Sequence, residues 1–147
     1  MKTPTEKIYL KIKRQDNAKA TSYWEHFQIP ARPGMTLISA LKEIQKNPVV
    51  ASGNRTTPVA WESNCHQEVC GSCAMKVNGQ PRMACSTLLE TLKSPIVVEP
   101  LTKFPVTRDL VTERSLPSTM VQDNQPFRQD PQNIQEVQTL GQCIDCG

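Results

Sequence analysis

Four cysteines between residues 65 and 85 constrain this chain more than any other feature of its sequence. The stretch is CHQEVCGSCAMKVNGQPRMAC, with four, two and eleven residues between successive cysteines. The first three share one loop, and Asn78-Gly79 predicts a tight hairpin that folds the fourth back beside the third. Gly71 has no Cβ, so the loop can approach a bound group closely there. We therefore expect one site formed by four thiols, the cysteine quartet: Cys65, Cys70, Cys73 and Cys85.

This spacing is typical of plant-type [2Fe–2S] proteins, in which three ligands share a loop and the fourth lies further along the chain. Two irons need two thiolates each, so a loop must cover one side of the cluster while a separate strand closes the other. Loop amides, Ser63 and Ser72 are candidates to hydrogen-bond the sulfurs and raise the reduction potential. Such a chain would carry single electrons and perform no substrate chemistry of its own.

Other cysteine chemistries fit the pattern less well. The N-terminal residues contain no apolar stretch resembling a signal peptide, and thiols in a cytosolic setting stay reduced, which disfavours disulfides. A Rieske centre needs Cys-x-His and Cys-x-x-His pairs, and the sequence has neither. Cys65 and His66 are adjacent and point apart, which disfavours a cysteine–histidine nucleophile. A structural zinc ion on four thiolates stays open as an alternative, although such sites usually combine two knuckles of short spacing.

The apolar pattern predicts an α+β fold. Alternating apolar residues indicate strands, and a stripe at i, i+4 and i+7 indicates one helix, with Thr36 as its candidate N-cap. The order of elements is compatible with a mixed sheet and one helix packed across it, the β-grasp arrangement of ferredoxin-like domains. The predicted strands cover 7–13, 23–29, 73–77, 81–85 and 96–98, and the predicted helix covers 37–46.

Composition changes after about residue 103. We expect a β-grasp [2Fe–2S] domain over 7–103, a linker or extended arm over 104–142, and a separate C-terminal segment over 143–147 that carries a C-x2-C pair. Residues 121–142 contain seven glutamines and two prolines, which is typical of a linker.

Charge and hydropathy bear on the partners. Residues 1–103 carry a net charge of +6 and residues 104–147 carry −3. No run of Lys and Arg is interleaved with aromatic residues, so we expect no nucleic-acid binding. No stretch approaches the about 18 apolar residues of a membrane helix, so we expect no direct membrane span.

With both groups of cysteines in view, the chain resembles the iron–sulfur subunit of succinate dehydrogenase and fumarate reductase (complex II), most closely the bacterial menaquinone-linked type. The resemblance runs from about residue 7 to 115. It is most specific over TTPVAWESNCHQEVCGSCAMKVNGQPRMACSTLL at 56–89 and KFPVTRDL at 103–110. It implies an N-terminal ferredoxin-like domain in which the cysteine quartet binds a [2Fe–2S] cluster.

The resemblance also implies partners. Electrons would come from an FAD-containing flavoprotein subunit that interconverts succinate and fumarate, and would pass through further iron–sulfur centres toward quinone. Membrane-anchor subunits would hold the assembly on the inner face of the bacterial cell membrane, with this chain cytoplasmic and peripheral. We expect a docking surface for the flavoprotein at residues 62–73, with Glu62, His66 and Gln67 close to it.

The C-terminal CIDCG, at 143–147, resembles the truncated start of a second, helical iron–sulfur domain in that family. Cys143 and Cys146 would be the first two ligands of a [4Fe–4S] cluster, and two thiols cannot complete a cubane. The [4Fe–4S] and [3Fe–4S] centres are therefore expected only if a missing C-terminal domain is present, and this chain alone is expected to be incomplete.

A second family stays open as an alternative. The iron–sulfur domains of xanthine dehydrogenase-type enzymes share the 4-2-11 spacing, and their helical domain contains a Gln-Cys-x-x-Cys resembling Gln142-Cys143. They usually carry Gly three residues after the first cysteine, where this chain has Glu68. They also lack a counterpart of FPVTRDL.

Overall fold

The computed structural model describes residues 7–114, which form a five-stranded mixed sheet with one α-helix and a separate two-stranded ribbon. The strand order across the main sheet is β2-β1-β5-β3-β4. The predicted α+β fold of the β-grasp kind is confirmed. The elements are β1 (Lys7–Arg14), β2 (Tyr23–Pro30), α1 (Leu37–Lys46), β3 (Ala74–Val77), β4 (Gln80–Met83), a 3-10 turn (Leu89–Thr91), β5 (Ile96–Glu99), β6 (Val106–Arg108) and β7 (Val111–Thr112).

Strands β1 and β2 form the predicted antiparallel hairpin. Their register pairs Leu10 with Phe27 and Ile8 with Ile29, so the apolar residues of both strands share the buried face. Successive side chains of a strand point to opposite faces, which is why alternation in the sequence produces this arrangement. The hairpin therefore supplies one wall of the core.

Helix α1 begins where the sequence predicts. The Thr36 side chain accepts a hydrogen bond from the amide of Ser39, which satisfies one of the otherwise free N–H groups of the first turn. Leu37, Leu41 and Ile44 are all buried against the sheet. Helix and sheet together enclose the core on which the cysteine loops are mounted.

Strand β5 lies at the centre of the sheet, parallel to β1 and antiparallel to β3. Ile96 and Val98 are buried there. Because β5 pairs with both β1 and β3, it joins the β1–β2 hairpin and the cysteine-bearing β3–β4 hairpin in one sheet. Within residues 7–114 no helix is long and apolar enough to cross a membrane.

The segment that follows residue 103 differs from the expected extended arm. Strands β6 and β7 pair with each other, and the turn between them carries Asp109 and Leu110, which are 1% and 3% exposed. Asp109 accepts hydrogen bonds from the Arg14 side chain and from the amides of Gln15 and Ala60. Residues 104–114 therefore pack with the β-grasp domain and do not behave as a linker. The predicted arm over 115–142 and the half-site at 143–147 lie outside the described residues.

Arg14 is the polar centre of this packing. Its side chain is fully buried, and it donates to Asp109 (Nε–Oδ1 2.8 Å), to Thr57 (Nη2–Oγ1 3.0 Å) and to Glu25. Burial acts to lower the pKa of Arg14, but the hydrogen bond and charge of Asp109 and the charge of Glu25 outweigh it and hold that pKa above its ordinary value. The buried cation is thus paired, which is the condition for tolerating it in an apolar interior.

Asp109→Ala is expected to destabilise the domain by about 3–5 kcal/mol, because it leaves the buried Arg14 guanidinium short of a partner. The free energy of unfolding from denaturant titration measures the effect. Glu43→Gln serves as the control, since it breaks only the surface pairs with Arg32 and Lys46 and is expected to cost less than about 1 kcal/mol. Equal losses for the two variants would contradict a central role for Asp109.

Candidate metal centre

The β3–β4 hairpin brings Cys73 and Cys85 together. Cys73 directly precedes β3 and Cys85 follows β4, and the register pairs Ala74 with Met83. Asn78 and Gly79 have φ of 48° and 82°, so both central residues of the turn are left-handed, as a two-residue hairpin of this kind requires. The turn predicted from Asn78-Gly79 is confirmed. The Ala84 amide donates to the Cys73 carbonyl at 3.2 Å, so the two cysteines are neighbours, and Cys85 contributes to the shifted pKa of Cys73.

Cys65 and Cys70 form a second pair, on the loop that precedes β3. The Cys70 amide lies 3.3 Å from the Cys65 sulfur, and the Cys65 amide lies 3.5 Å from the Cys70 sulfur. The Gln67 amide adds a third such contact, 3.3 Å from the Cys65 sulfur. The loop therefore presents N–H groups to sulfur, as predicted.

Backbone conformation explains why the loop amides face inward. His66 and Glu68 have φ of 55° and 60°, a left-handed conformation that is uncommon for residues with a Cβ. Gly71 has φ of 74°, where glycine has no steric cost. Left-handed residues reverse the direction of the chain within a few residues, so the loop curls around its own two thiols. The special backbone role of Gly71 could be predicted from its residue type, whereas nothing in the sequence marks His66 and Glu68 as left-handed.

The quartet thus consists of two pairs with different surroundings. Cys73 is buried and Cys85 is half-buried, whereas Cys65 is half-buried and Cys70 is exposed. Within residues 7–114, no three His, Cys, Asp or Glu side chains converge on one position suited to a single metal ion. A group with two metal ions needs two thiol ligands for each ion, and the two cysteine pairs supply that donor set.

The two pairs also differ in acidity. The pKa of Cys70 is lowered to about 6, first because the Cys65 amide donates to its sulfur, and then because the Ser72 hydroxyl and amide also donate. The pKa of Cys73 is raised, chiefly because burial disfavours the thiolate. A metal ligand must be a thiolate, so Cys70 is prepared for binding in the metal-free protein and Cys73 must lose a proton on binding.

Of the two serines predicted to contact sulfur, the structure places one there. The Ser72 hydroxyl lies 3.1 Å from the Cys70 sulfur. The Ser63 hydroxyl instead lies 3.4 Å from Nε2 of His66. Neighbouring Trp61 is partly buried, and its indole N–H has no hydrogen-bond partner among the described residues. Ser72 therefore contacts a sulfur of the quartet as predicted, and Ser63 does not.

Sequence reasoning missed the residues that hold the loop from behind. The Asp109 carboxylate receives the Ala60 amide at 2.8 Å, and the Leu110 amide donates to the Ala60 carbonyl at 3.2 Å. These contacts fix the chain just before the cysteine loop. Arg114 donates to the carbonyls of Gly71, Ser72 and Ala74, which lie between and after the second and third cysteines. Asp109 belongs to KFPVTRDL, one of the two stretches that carried the family resemblance, and its hydrogen bonds give that stretch a structural role. No pattern in the sequence indicated a role for Arg114.

The surface around Cys70 is open. Val69 is 81% exposed, and Glu62, His66 and Gln67 are exposed as well. A cavity of about 450 Å³ lies on one side of the loop, where Glu68 accepts a hydrogen bond from the Ser86 hydroxyl at 2.8 Å. The more exposed cysteine pair therefore lies at the protein surface, on the face where residues 62–73 were expected to meet a partner.

Comparison with known proteins assigns a family to this arrangement. Residues 9–118 match the family model described as "2Fe-2S iron-sulfur cluster binding domain". The chain is 42% identical over 149 residues to a succinate dehydrogenase iron-sulfur subunit of Bacillus subtilis, covering 92% of this chain and 59% of that protein. It is 35% identical over 103 residues to a fumarate reductase iron-sulfur subunit of Mycobacterium tuberculosis, covering 60% and 42% respectively.

A solved structure agrees. A chain of the Mycobacterium smegmatis Sdh1 complex in the apo form superposes with a TM-score of 0.65 at 26% identity, covering 97% of this chain and 61% of that chain. The present chain spans 59% of the length of its Bacillus relative and 42% of its Mycobacterium tuberculosis relative.

In the metal-free protein, alkylation by iodoacetamide is expected to reach Cys70 well before Cys73. A thiol whose pKa is lowered to about 6 is thiolate above that pH and loses reactivity about tenfold per unit below it, whereas Cys73 is buried and has a raised pKa. Mass spectrometry of the alkylated peptides between pH 5 and 8 gives the half-point. Ser72→Ala should move that half-point upward, and an unchanged half-point would contradict the assigned hydrogen bond.

Proposed function

Because the chain belongs to the 2Fe-2S iron-sulfur cluster binding domain family, we propose that its cysteine quartet holds one [2Fe–2S] cluster, with Cys65 and Cys70 on one iron and Cys73 and Cys85 on the other. The observation that carries this assignment is the separation of the thiols into two pairs. A cluster of this kind, when bound, takes up and releases one electron. The residues around it hold the thiols in place and donate N–H groups to sulfur.

The zinc alternative finds less support in this geometry. A structural zinc ion needs four ligands at tetrahedral positions around one point, about 2.3 Å from each sulfur. No group of three donors converges on such a point within the described residues. The donor set therefore favours two metal ions bridged by other atoms over one zinc ion.

We further propose that the chain is the N-terminal part of an electron-transfer subunit of a succinate dehydrogenase or fumarate reductase. The named relatives are iron–sulfur subunits of these enzymes, and the Bacillus relative aligns over 92% of this chain. In such an assembly this chain passes single electrons between the flavin of a partner subunit and further centres toward quinone. The xanthine dehydrogenase-type alternative is disfavoured, because the FPVTRDL stretch has a structural task in this fold through Asp109.

The flavoprotein partner would dock on the surface around the exposed cysteine pair. Val69 is a large apolar side chain at 81% exposure, set directly beside Cys70. An apolar side chain at the tip of a loop adds favourable free energy when a partner covers it. Glu62, His66 and Gln67 form the polar margin of the same surface.

The remaining assignments extend beyond the described residues. Membrane-anchor subunits would bind through a further domain, and would place the assembly peripherally on the inner face of the bacterial cell membrane. Cys143 and Cys146 offer two thiols, and a [4Fe–4S] cluster needs four ligands. We therefore expect no [4Fe–4S] or [3Fe–4S] centre in this chain without that further domain.

The reconstituted chain is expected to contain two irons and two sulfides and to give a rhombic EPR signal on reduction. Cys70→Ser should lose most of that signal, because a hydroxyl is a poorer ligand for iron than a thiolate. Cys143→Ser is the matched control and should leave iron content and spectrum unchanged. A colourless protein that retains zinc, or four or more irons per chain, would rule out the assignment.

Val69→Asp is expected to weaken the complex with the flavoprotein subunit at least tenfold, or by about 1.4 kcal/mol, since it places a charge in the buried centre of the interface. Binding is measured by calorimetry with cluster-loaded chain. Ala18→Asp introduces the same charge in the exposed β1–β2 connection and should leave the affinity unchanged. Equal affinities for the two variants would show that the partner docks elsewhere.

A further inference from the structure

We propose that Arg114 is a positioning residue for the cluster, whose guanidinium holds the Gly71–Ser72 peptide with its N–H directed at the Cys70 sulfur and thereby keeps the reduction potential high. This inference rests on the proposed function, because it presumes a cluster on the cysteine quartet. It assigns a role to a side chain that follows strand β7, far along the chain from the cysteine loop.

The contacts of Arg114 converge on one short piece of backbone. Its Nη1 lies 2.5 Å from the Gly71 carbonyl oxygen, and its Nη2 lies 3.2 Å from the carbonyl oxygens of both Ser72 and Ala74. Its Nε donates to the Thr112 hydroxyl at 3.3 Å, which fixes the plane of the guanidinium. Three carbonyls around the third cysteine of the quartet are thus held by one side chain.

The same peptide unit faces the sulfur on its other side. The carbonyl of Gly71 and the amide of Ser72 belong to one planar trans peptide, in which C=O and N–H point in opposite directions. The Ser72 hydroxyl lies 3.1 Å from the Cys70 sulfur, and the Ser72 amide faces the same sulfur and contributes to its lowered pKa. A donor that holds the carbonyl therefore also holds the N–H on the sulfur, and polarises it further.

Both consequences of this geometry favour the reduced state. Hydrogen bonds to the sulfurs offset the negative charge that a one-electron reduction adds, which raises the potential. A fixed cation near the site acts in the same direction. Only a planar guanidinium can serve three carbonyls and a hydroxyl at once, because a lysine ammonium is a compact point charge on a flexible stem.

The test uses the full 147-residue chain, reconstituted with iron and sulfide, and compares Arg114→Gln, Arg114→Lys and Arg32→Gln. Redox titration followed by EPR measures the potential, and amide hydrogen exchange over residues 70–74 measures the hold on the loop. Arg114→Gln should shift the redox equilibrium about tenfold toward the oxidised form, or about 59 mV for one electron. Exchange in the loop should be faster.

Arg114→Lys separates positioning from charge. Lysine keeps the positive charge but lacks the planar set of N–H donors of the guanidinium. We therefore expect a smaller fall in reduction potential than in Arg114→Gln, together with faster amide exchange over residues 70–74. Arg32→Gln removes the same charge from an exposed side chain that pairs with Glu43, and should match the unsubstituted chain in both measurements. A lysine variant that matches the unsubstituted chain in both measurements would overturn the positioning role.

The remaining outcomes are also decisive. A fully loaded Arg114→Gln with an unchanged potential would refute this inference and leave the proposed function standing. An unsubstituted chain that takes up no [2Fe–2S] cluster would refute both. Should Arg114→Gln fail to load, Thr112→Val removes only the Nε acceptor; a fall in potential in that variant supports the inference, and unchanged potential and exchange overturn it.

Discussion

The buried pair between Arg14 and Asp109 is the constraint on which the rest of this domain depends. Burying a guanidinium is costly unless its donors find partners, and here they find Asp109, Glu25 and Thr57. Arg14 and its three partners lie on four separate segments: the two strands of the first hairpin, the approach to the cysteine loop, and the turn of the last ribbon. Because a buried charge tolerates little change in geometry, the segments are held in one arrangement, and the approach to the cysteine loop is fixed with them.

Local sequence patterns were sufficient for the fold and for the position of the quartet. The alternation in the first two strands, the apolar stripe behind Thr36 and the Asn78-Gly79 turn each describe interactions between residues close in sequence or in direct register. Such interactions leave a periodic signal that can be recognised without knowing the tertiary structure. The cysteine spacing works in the same way, since three ligands on one loop have a fixed separation in the sequence.

What the sequence did not disclose are single residues that act across long separations. Arg14 and Asp109 are 95 residues apart, and Arg114 reaches Gly71 across 43. A lone arginine in a polar stretch looks the same whether it is solvated or holds three carbonyls. The left-handed conformation of His66 and Glu68 was hidden for a related reason, because it is imposed by the loop as a whole rather than by those residue types. The predicted domain boundary at residue 103 was too early because these long-range contacts leave no pattern in the sequence.

The separation between Arg14 and Asp109 also sets an order of events during protein synthesis. A chain emerges from the ribosome with its N-terminus first, at about 5–20 residues per second. The cysteine loop is therefore exposed for several seconds before residues 109–114 arrive to pin it from behind, and long-range contacts of this kind form late in folding. During that interval the thiols are accessible to whatever delivers iron and sulfide. Residues 109–114 therefore fix the cysteine loop only after its thiols have been exposed to solvent.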